Sequence, residues 1–483
     1  MVRIDPLGRI RIQMLSRDEM DCIHDASIRI LRETGAIVRS AEARELLRNA
    51  GNRVVEKDMR VFFEESLIKD AITSAPREIV LGARNPKHDL RVPNDGFPYM
   101  STDGFAVQIR DSDTFERRSS TREDLKRWAT LTDALDTIDM LWPSIGATDL
   151  PPQEQLLASL RTCYESADKH IQYQAFSGEN ARLEIDMAQA IAGGEDENKR
   201  RPHFSSIQCI VAPLQYDGGS VDAVIEFARA GIPVVAMTMV SPGITGPTTL
   251  AGSVALANAE VLGSLSMSFL AAKGAPVFYC FVCAPLDMKS GNFATGSPEY
   301  GVLSVAGAEM AKYYSLPSMM GGMGTSAKEP GVQVGYEKAI TSMPVAFSGC
   351  DLFTGCGGLH DASYMSMEQL LIDSQIWEDI ERSWVGTEVN DEEIAIEVIE
   401  KVGPKGQFLA HPHTFNNFRK LHTSRFSDRT SYATWEAGGR KDTISLVKSE
   451  VQRILANHKT IPLSEDAKRM LVQIEERAAR TIG

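Results

Sequence analysis

The chain has 483 residues, of which 43% are hydrophobic and 24% are charged, and its formal net charge at pH 7 is −14. This composition is typical of a soluble globular protein. The acidic balance argues against nucleic acid as the main partner, because a nucleic-acid interface needs a basic face. The length allows either one large barrel-type domain with terminal extensions or three ordinary domains.

The first 120 residues are predicted to form an extension of helices and short strands. The segment MVRIDPLGRIRIQ lacks the long apolar core of a secretion signal. The following segment, SRDEMDCIHDASIRILRETG, has apolar residues at helical spacing, a serine at its start and a glycine at its end. Short strands are predicted for residues 79–120, where apolar and polar residues alternate between turn signals.

Residues 121–390 are predicted to form a (β/α)8 TIM-type barrel. Seven helices alternate with seven strands, beginning with TREDLKRWATLTDAL before IDMLWPSI and ending with VQVGYEKAITSMPVAFSG before CDLFTGCGG. The strands are continuously apolar, which indicates a parallel sheet buried on both faces. The one candidate for the eighth strand is the short ASYMS segment, residues 362–366. No GxGxxG follows the first strand, so a dinucleotide-binding fold is disfavoured.

The most apolar long segment of this region is residues 250–272. Asn258 and Glu260 interrupt it, so we predict a tightly packed helix rather than a membrane span. The chain has seven cysteines, an odd number spread over its length, which favours a reducing cytoplasm over a disulfide framework. Cys280 and Cys283 form a C-x-x-C, but a strand would turn their thiols to opposite faces. Buried structural cysteines are therefore favoured over a metal site.

Residues 391–483 are predicted to be a C-terminal helical extension. An irregular basic stretch precedes two amphipathic helices, KDTISLVKSEVQRILANH and SEDAKRMLVQIEERAARTI. We expect this extension to pack across the barrel or to form a subunit contact. His411 and His413 could bind a metal, but no acidic or cysteine partner is near them in sequence, which favours packing.

Several predicted strand ends carry aromatic or methionine side chains, which at a barrel mouth can form a cage for a quaternary ammonium ion. The alternative is that they are core residues. They are Trp142, Tyr173, Phe176, Met237, Met239, Phe281, Met323 and Phe353. Two loops add polar groups: a glycine-rich turn presents His360 and Asp361, and DMKSGNFATGSPEY presents Asp287 and Glu299. The sequence Ser-Pro-Glu at 297–299 is equally well explained as a helix start.

Taken in order, several segments resemble the trimethylamine methyltransferase family of corrinoid-dependent methyltransferases. They are SPGITGPTTLAGSVALANAEVL, DMKSGNFATGSPEY, PGVQVGYEKAITS, GCGGLHDASYMSMEQLLIDSQI and the FLAHPHTF…SDR…W…GG run. The family fold is a (β/α)8 barrel. Its archetype carries pyrrolysine in the loop after the seventh predicted strand, at or next to Asp361 here. The chain thus resembles the members without pyrrolysine, which act on glycine betaine and other quaternary amines.

The resemblance implies transfer of a methyl group to the Co(I) of a corrinoid on a separate carrier protein. No DxHxxG motif for tight cobalamin binding is present in the sequence, and no tightly bound metal is expected. Loss of a methyl group from a quaternary amine expels a neutral tertiary amine, so no proton is needed. Glycine betaine is the first candidate substrate; proline betaine, carnitine and γ-butyrobetaine are alternatives.

The resemblance also implies roles for individual residues. His360 is expected to bind a substrate carboxylate or orient the ligand, and Asp361 to balance the ammonium; the alternative is a capped turn. The expected substrate-binding residues are Tyr99, Phe176, Phe281, Asp287, Glu299 and Phe353. A homo-oligomer is expected. The competing functions are a non-catalytic betaine-binding or sensory protein, and a zinc-dependent barrel that passes methyl groups to a thiol or folate.

Overall fold

Eight parallel strands close into a barrel at the centre of the molecule. The computed structural model describes residues 2–4 and 9–482, with side chains from residue 9 to residue 480. Each barrel strand pairs with the next along the chain, and the last strand closes on the first, with Leu352 opposite Tyr99. We number them β1 (Tyr99–Thr102), β2 (Met140–Leu141), β3 (His170–Tyr173), β4 (Phe204–Ile210), β5 (Val234–Thr238), β6 (Val277–Phe281), β7 (Ser318–Gly321) and β8 (Leu352–Cys356).

A helix follows each barrel strand and packs on the outside of the sheet, so the predicted (β/α)8 architecture is confirmed. The residues of β5, β6 and β8 are all buried, as expected for strands covered on both faces. The helices are α1 (Arg122–Ala134), α2 (Pro152–Ser166), α3 (Gly178–Ala192), α4 (Gly218–Ala230), α5 (Leu250–Ala271), α6 (Pro298–Tyr314), α7 (Val332–Ser348) and α8 (Met367–Val385).

The barrel takes one strand from a part of the chain that the sequence assigned to the extension. Strand β1 lies before residue 120, whereas the ASYMS segment forms Tyr364–Met365, which pairs with Gly358–Leu359 and Gln108–Arg110 outside the barrel. The prediction of an eighth strand in ASYMS is therefore wrong. The sequence predicts a strand here but does not place it in the barrel, because β1 has only four residues and a 19-residue connection separates it from α1. Domain limits at residues 120 and 390 stay a prediction.

The N-terminal extension packs over α4 and α5. Its helices Arg17–Arg29, Ala41–Asn49 and Glu65–Ser74 contact α5, and the first begins with a capping box between Ser16 and Glu19. Short strands lie between these helices and before β1: Ile10–Ile12, Ala36–Val38, Arg53–Val55, Arg60–Phe62, Ile79–Leu81 and Leu90–Val92. Helix α5 is long and apolar enough to cross a membrane, but 83% of its most apolar window is buried inside the protein. It is a core helix, as predicted.

The C-terminal extension has a loosely packed part and a tightly packed part. The short helices Asp391–Ile394, Ile396–Val402, Pro412–Asn417 and Tyr432–Ala437 contain no buried residue. The two predicted amphipathic helices are confirmed as Thr443–Asn457, which packs on α1 and α8, and Glu465–Ile482, which packs on α2 and α3. The tightly packed pair therefore completes the outer wall of the barrel.

Candidate active site

A cavity of about 480 Å³ opens at the carboxyl ends of the barrel strands. Parallel strands bring these ends to one mouth, which is where barrel enzymes place their chemistry. Every strand contributes a lining residue from its last two positions or from the loop that follows it. The lining comprises Asp103, Gly104, Phe105, Trp142, Gln174, Phe176, Cys209, Met237, Met239, Val282, Phe293, Thr295, Tyr300, Gly322, Met323, Gly324, Thr325, Thr354, Gly358, Asp361 and Ala362.

Aromatic rings and sulfur atoms make up much of this lining. The rings are Phe105, Trp142, Phe176, Phe293 and Tyr300, and the sulfur comes from Cys209 and three methionines. Phe176 stands at the rim, with 62% of its surface exposed. Aromatic faces attract a cation by their quadrupole, while methionine fills irregular apolar space. The cavity is therefore suited to an organic cation.

Asp103 is the first of two carboxylates in the cavity wall. It directly follows β1, and its Oδ1 accepts a hydrogen bond from the backbone N–H of Gly104 at 2.7 Å. Among the described residues, none donates a hydrogen bond to Oδ2. A Cβ at Gly358 would lie 2.3 Å from this Oδ2, so only glycine leaves room for the carboxylate. Burial raises the pKa of Asp103 above its usual range.

Asp361 is the second carboxylate and is firmly held. Its Oδ1 accepts hydrogen bonds from the Thr295 backbone N–H at 2.9 Å, the Thr295 hydroxyl at 2.8 Å and the Ser326 hydroxyl at 2.9 Å. Its Oδ2 accepts none from the part of the chain that the structure describes. Asp361 also lines a neighbouring outer groove of about 790 Å³. It therefore stands at the junction of the inner cavity and the outer groove.

The turn that carries Asp361 has an unusual backbone. His360, Asp361 and Ala362 are all left-handed, with φ of 50°, 55° and 59°. Left-handed geometry costs a non-glycine residue roughly 1–2 kcal/mol. Hydrogen bonds offset this cost: the N–H of His360 donates to Ala327 O, and that of Asp361 donates to Thr325 O, both at 2.8 Å. The turn is thereby fastened to the loop between β7 and α7.

A buried ion pair between α7 and α8 lies next to the segment that leads into this turn. The Lys338 ammonium on α7 lies 2.6 Å from Asp373 Oδ2 on α8, and both side chains are fully buried. The same oxygen accepts the backbone N–H of Gly357 at 2.7 Å, and Gln369 donates to Oδ1 at 2.7 Å. Burial raises the pKa of Asp373, and the Lys338 charge opposes that shift. The pair fixes the chain next to Gly358, against which Asp103 packs.

Of the other strand-end candidates for the cage, Trp142, Met237, Met239 and Met323 line the inner cavity and Tyr173 does not. Of the eight residues given a catalytic or substrate-binding role, four lie at the mouth. Phe176 lines the inner cavity, Asp361 lines both spaces, and Asp287 and Glu299 line the outer groove. Asp287 is bound to its own loop through the Ser290 hydroxyl at 2.6 Å. His360 lies beside Asp361 but outside the cavity lining, with its ring edge-on to Tyr364 at 6.5 Å between centroids.

Three predicted substrate-binding residues lie away from the cavity. Tyr99 begins β1, so it stands at the opposite, amino end of the barrel. Phe281 packs outward, because a Cβ at Gly307 of α6 would lie 2.7 Å from its ring. Phe353 also points outward and stacks on Trp377 of α8 at 4.5 Å. Alternation along β6 and β8 turned these two rings toward the helices, and the sequence alone did not reveal that orientation.

Sequence reasoning missed Asp103, Phe105 and Tyr300. The signal for the first two was the TDGF stretch directly after the YMST strand, which was overlooked because β1 was assigned to the extension. Tyr300 lies in the first turn of α6, where helical periodicity alone suggests packing. Burial raises its pKa well above the usual range, and the neighbouring Asp103 adds to the shift. The phenol therefore stays neutral.

The lining offers binding groups and few reactive ones. Cys209 is exposed within the cavity. Desolvation by the surrounding protein raises the pKa of its thiol to about 11, so the thiol is protonated at neutral pH and a poor nucleophile. In the described residues, no three His, Cys, Asp or Glu side chains are grouped to hold a metal ion. The arrangement can hold a cation against aromatic faces and leave one side open to a second reactant.

Comparison with known proteins agrees with this geometry. Residues 6–482 match the family model described as trimethylamine methyltransferase. The trimethylamine methyltransferase MttB of Desulfitobacterium hafniense is 34% identical, with 97% of this chain and 94% of the relative covered. The same protein of Methanosarcina barkeri is 31% identical, with 98% and 96% covered. A glycine betaine methyltransferase of D. hafniense is 32% identical, with 93% of each chain covered.

Among solved structures, the M. barkeri monomethylamine methyltransferase is similar at 9% identity, with a TM-score of 0.49 and coverage of 96% of this chain and 92% of that one. The family match spans nearly the whole described chain, and the relatives are similar over nearly their full length. The resemblance noted from the sequence motifs is confirmed, and this chain belongs to the trimethylamine methyltransferase family.

Proposed function

We propose that this methyltransferase moves one methyl group from a quaternary amine to the Co(I) of a corrinoid held by a separate protein. The observation that carries the proposal is the inner cavity, where five aromatic rings and the carboxylates of Asp103 and Asp361 surround one space at an open barrel mouth. Rings and carboxylates together favour a cation whose charge is shielded by methyl groups.

The reaction asks little acid–base chemistry of the protein. The reduced corrinoid, a co-substrate, supplies a nucleophile strong enough to need no general base. A quaternary amine keeps the electron pair of the broken C–N bond and leaves as a neutral tertiary amine. No histidine, lysine or arginine is found in the described lining of the cavity, in keeping with a reaction that moves no proton. The chain's task is then to position the methyl group and exclude water.

The strength of cation binding must be limited. The positive charge of the donor disappears toward the transition state, so strong binding of that charge slows transfer. Aromatic faces give a diffuse attraction, and burial raises the pKa of Asp103 and so weakens its charge. Asp361, the residue at or next to the family's pyrrolysine position, is proposed to hold the ammonium in line for attack.

The mouth is also the proposed docking surface for the corrinoid protein. Apolar side chains stand around its rim, with exposed fractions of 62% for Phe176, 60% for Ile244 and 74% for Met288. A separate carrier must bring the corrinoid to this side, since the cavity opens here. A cytoplasmic location and a homo-oligomer are proposed as well. The first is supported by seven free cysteines, and the second by exposed apolar residues such as Leu409 at 85%.

The proposal is tested by mixing the purified protein with chemically reduced Co(I) cobalamin and one quaternary amine at a time. Glycine betaine is the reference donor, because a relative carries that name. Transfer is seen as loss of the Co(I) absorption band and growth of the methylcobalamin band. We expect Asp361→Asn to lower the rate at least tenfold. Asp196→Asn, at an exposed position of the helix Glu195–Arg200 that precedes β4, should leave the rate unchanged. Binding of an amine without transfer would indicate a non-catalytic binding protein instead.

A further inference from the structure

We infer that the preferred methyl donor is a quaternary ammonium ion that has no carboxylate and ends in a neutral polar group such as a hydroxyl. This rests on the proposed function and names the substrate class of the same site. Three observations carry it: the sign of the charges in the inner cavity, the pairing of the nearby cations, and one indole N–H without a partner.

The inner cavity presents negative charge to its ligand. Asp103 and Asp361 are the acidic side chains of its described lining, and that lining has no lysine, arginine or histidine. Each uses Oδ1 for hydrogen bonds within the protein and has an Oδ2 that no described residue satisfies. A ligand carboxylate in a space of about 480 Å³ would lie near both, and like charges at short range repel. The ammonium end of the ligand gains from the same arrangement.

The cationic side chains around the mouth are either paired with carboxylates or outnumbered by carboxylates. Arg110 lies 2.7 Å from Glu329 and 3.8 Å from Glu368, and Lys338 is buried against Asp373. Lys328 lines the outer groove and donates to Ser326 O at 2.7 Å. That groove also contains four carboxylates, of Asp287, Glu299, Glu337 and Asp361. The described lining of the inner cavity offers a carboxylate no cationic partner, and the lining of the outer groove has Lys328 against four carboxylates. A carboxylate taken out of water needs such a partner.

Trp142 supplies the polar contact that a neutral end group would use. It lines the inner cavity, is only 4% exposed, and its indole N–H has no hydrogen-bond partner among the described residues. We assign a ligand acceptor to this N–H, because a buried donor without an acceptor is costly and Trp142 is the tryptophan of the described cavity lining. A hydroxyl oxygen accepts from the indole, while the hydroxyl proton can be donated to a carboxylate such as Asp103. A carboxylate end could accept from the indole but would still face Asp103 and Asp361.

The test compares choline, glycine betaine and tetramethylammonium. Choline and glycine betaine share a trimethylammonium head and a short chain and differ in the end group. Binding to the full-length protein is measured by calorimetry, and methyl transfer to Co(I) cobalamin by its spectrum. We expect choline to bind at least tenfold more tightly than glycine betaine. Trp142→Phe should weaken choline binding by a larger factor than tetramethylammonium binding, because both ligands lose ring surface but only choline loses the N–H contact.

Two carboxamide variants test the electrostatic part. Asp103→Asn and Asp361→Asn keep the shape of each side chain, and each should narrow the ratio of choline to glycine betaine affinity at least threefold. The surface variant Asp196→Asn should not change that ratio. Glycine betaine binding as tightly as choline would overturn the inference, yet its transfer to Co(I) would leave the proposed function intact. If none of the three amines binds or donates a methyl group, both the inference and the proposed function fail.

Discussion

At the scale of single residues, Asp103 is the group whose charge responds most directly to the ligand. Burial raises its pKa, the Gly104 N–H and the Lys338 charge lower it, and Asp373 and Asp361 raise it. The adjacent Tyr300 is neutral, since its own pKa lies well above the usual range. A bound cation favours the ionised carboxylate, so binding must release a proton when Asp103 starts out protonated.

The affinity for a quaternary ammonium ion should therefore increase with pH. As the pH rises toward the pKa of Asp103 in the free protein, we expect the dissociation constant to fall by at most about tenfold per pH unit. Above that pKa the dissociation constant should no longer change with pH. Calorimetry in buffers of different ionisation enthalpy counts the protons released. Asp103→Asn should give a pH-independent constant. A pH dependence that survives in this variant would assign the proton to another group.

Lys338 is a second residue with a measurable energetic role. Removing one partner of a buried ion pair strands the other charge and costs about 3–5 kcal/mol. Lys338→Met should lower the free energy of unfolding by about this amount, because Asp373 remains buried. The double variant Lys338→Met, Asp373→Leu should recover part of the loss. The exposed Lys69 provides the control. Lys69→Met should change the free energy of unfolding by less than about 0.5 kcal/mol. An equal loss in Lys338→Met and Lys69→Met would contradict this account.

At the scale of elements, the left-handed turn at residues 360–362 connects backbone strain to the site. It places Asp361 between the two spaces of the mouth, and its N–H groups are bound to the loop after β7. Strain of this kind persists only where surrounding contacts impose it, and such sites are commonly functional.

The variant Ala362→Gly tests whether the backbone strain of this turn contributes to methyl transfer. Glycine removes the left-handed penalty of about 1–2 kcal/mol. It also raises the conformational entropy of the unfolded chain, which lowers stability by about 0.4–1 kcal/mol. We expect a net stability gain of up to about 1.5 kcal/mol. We also expect a slower methyl transfer, because the freer turn holds Asp361 less firmly. Ala395→Gly is the matched control, since Ala395 is also left-handed (φ 51°) and lies in the exposed C-terminal segment. An unchanged transfer rate in Ala362→Gly would show that the strain has no role in catalysis.

The elements also show how far the sequence could predict this structure. The helix starts at Ser16, and at Ser297 before Pro298, follow from local chemistry and are confirmed. Strand β1 has too short and too polar a pattern, and only closure onto β8 makes it a barrel strand. Which side of a buried strand faces the cavity depends on register, so Met237 and Phe281 looked alike in sequence although one lines the cavity and the other packs on a helix.

At the scale of the whole molecule, the C-terminal extension is part of the barrel's support. Arg84, near the amino end of the barrel, lies 3.2 Å from Asp168 and donates hydrogen bonds to the carbonyls of Tyr164 and Ala167 at 2.7 and 2.9 Å, and to that of Ile461. Asp168 also accepts the Ile461 N–H at 2.9 Å. Both charged groups thus fix the link between the last two helices at the end opposite the cavity. Changes in this extension should alter stability and leave the site intact.

Substituting Leu471 tests whether the C-terminal extension affects stability without affecting the site. Comparison with a substitution of Leu409 tests the oligomeric state. Leu471 is fully buried against α2 and α3, so Leu471→Ala should lower the free energy of unfolding by about 2–5 kcal/mol, with the transfer rate per folded molecule unchanged. Leu409 is 85% exposed in the single chain, so Leu409→Ala should cost less than about 0.5 kcal/mol if nothing covers it. A loss as large as that of Leu471→Ala, together with a smaller particle on gel filtration, would show that a second copy packs on the segment around Leu409.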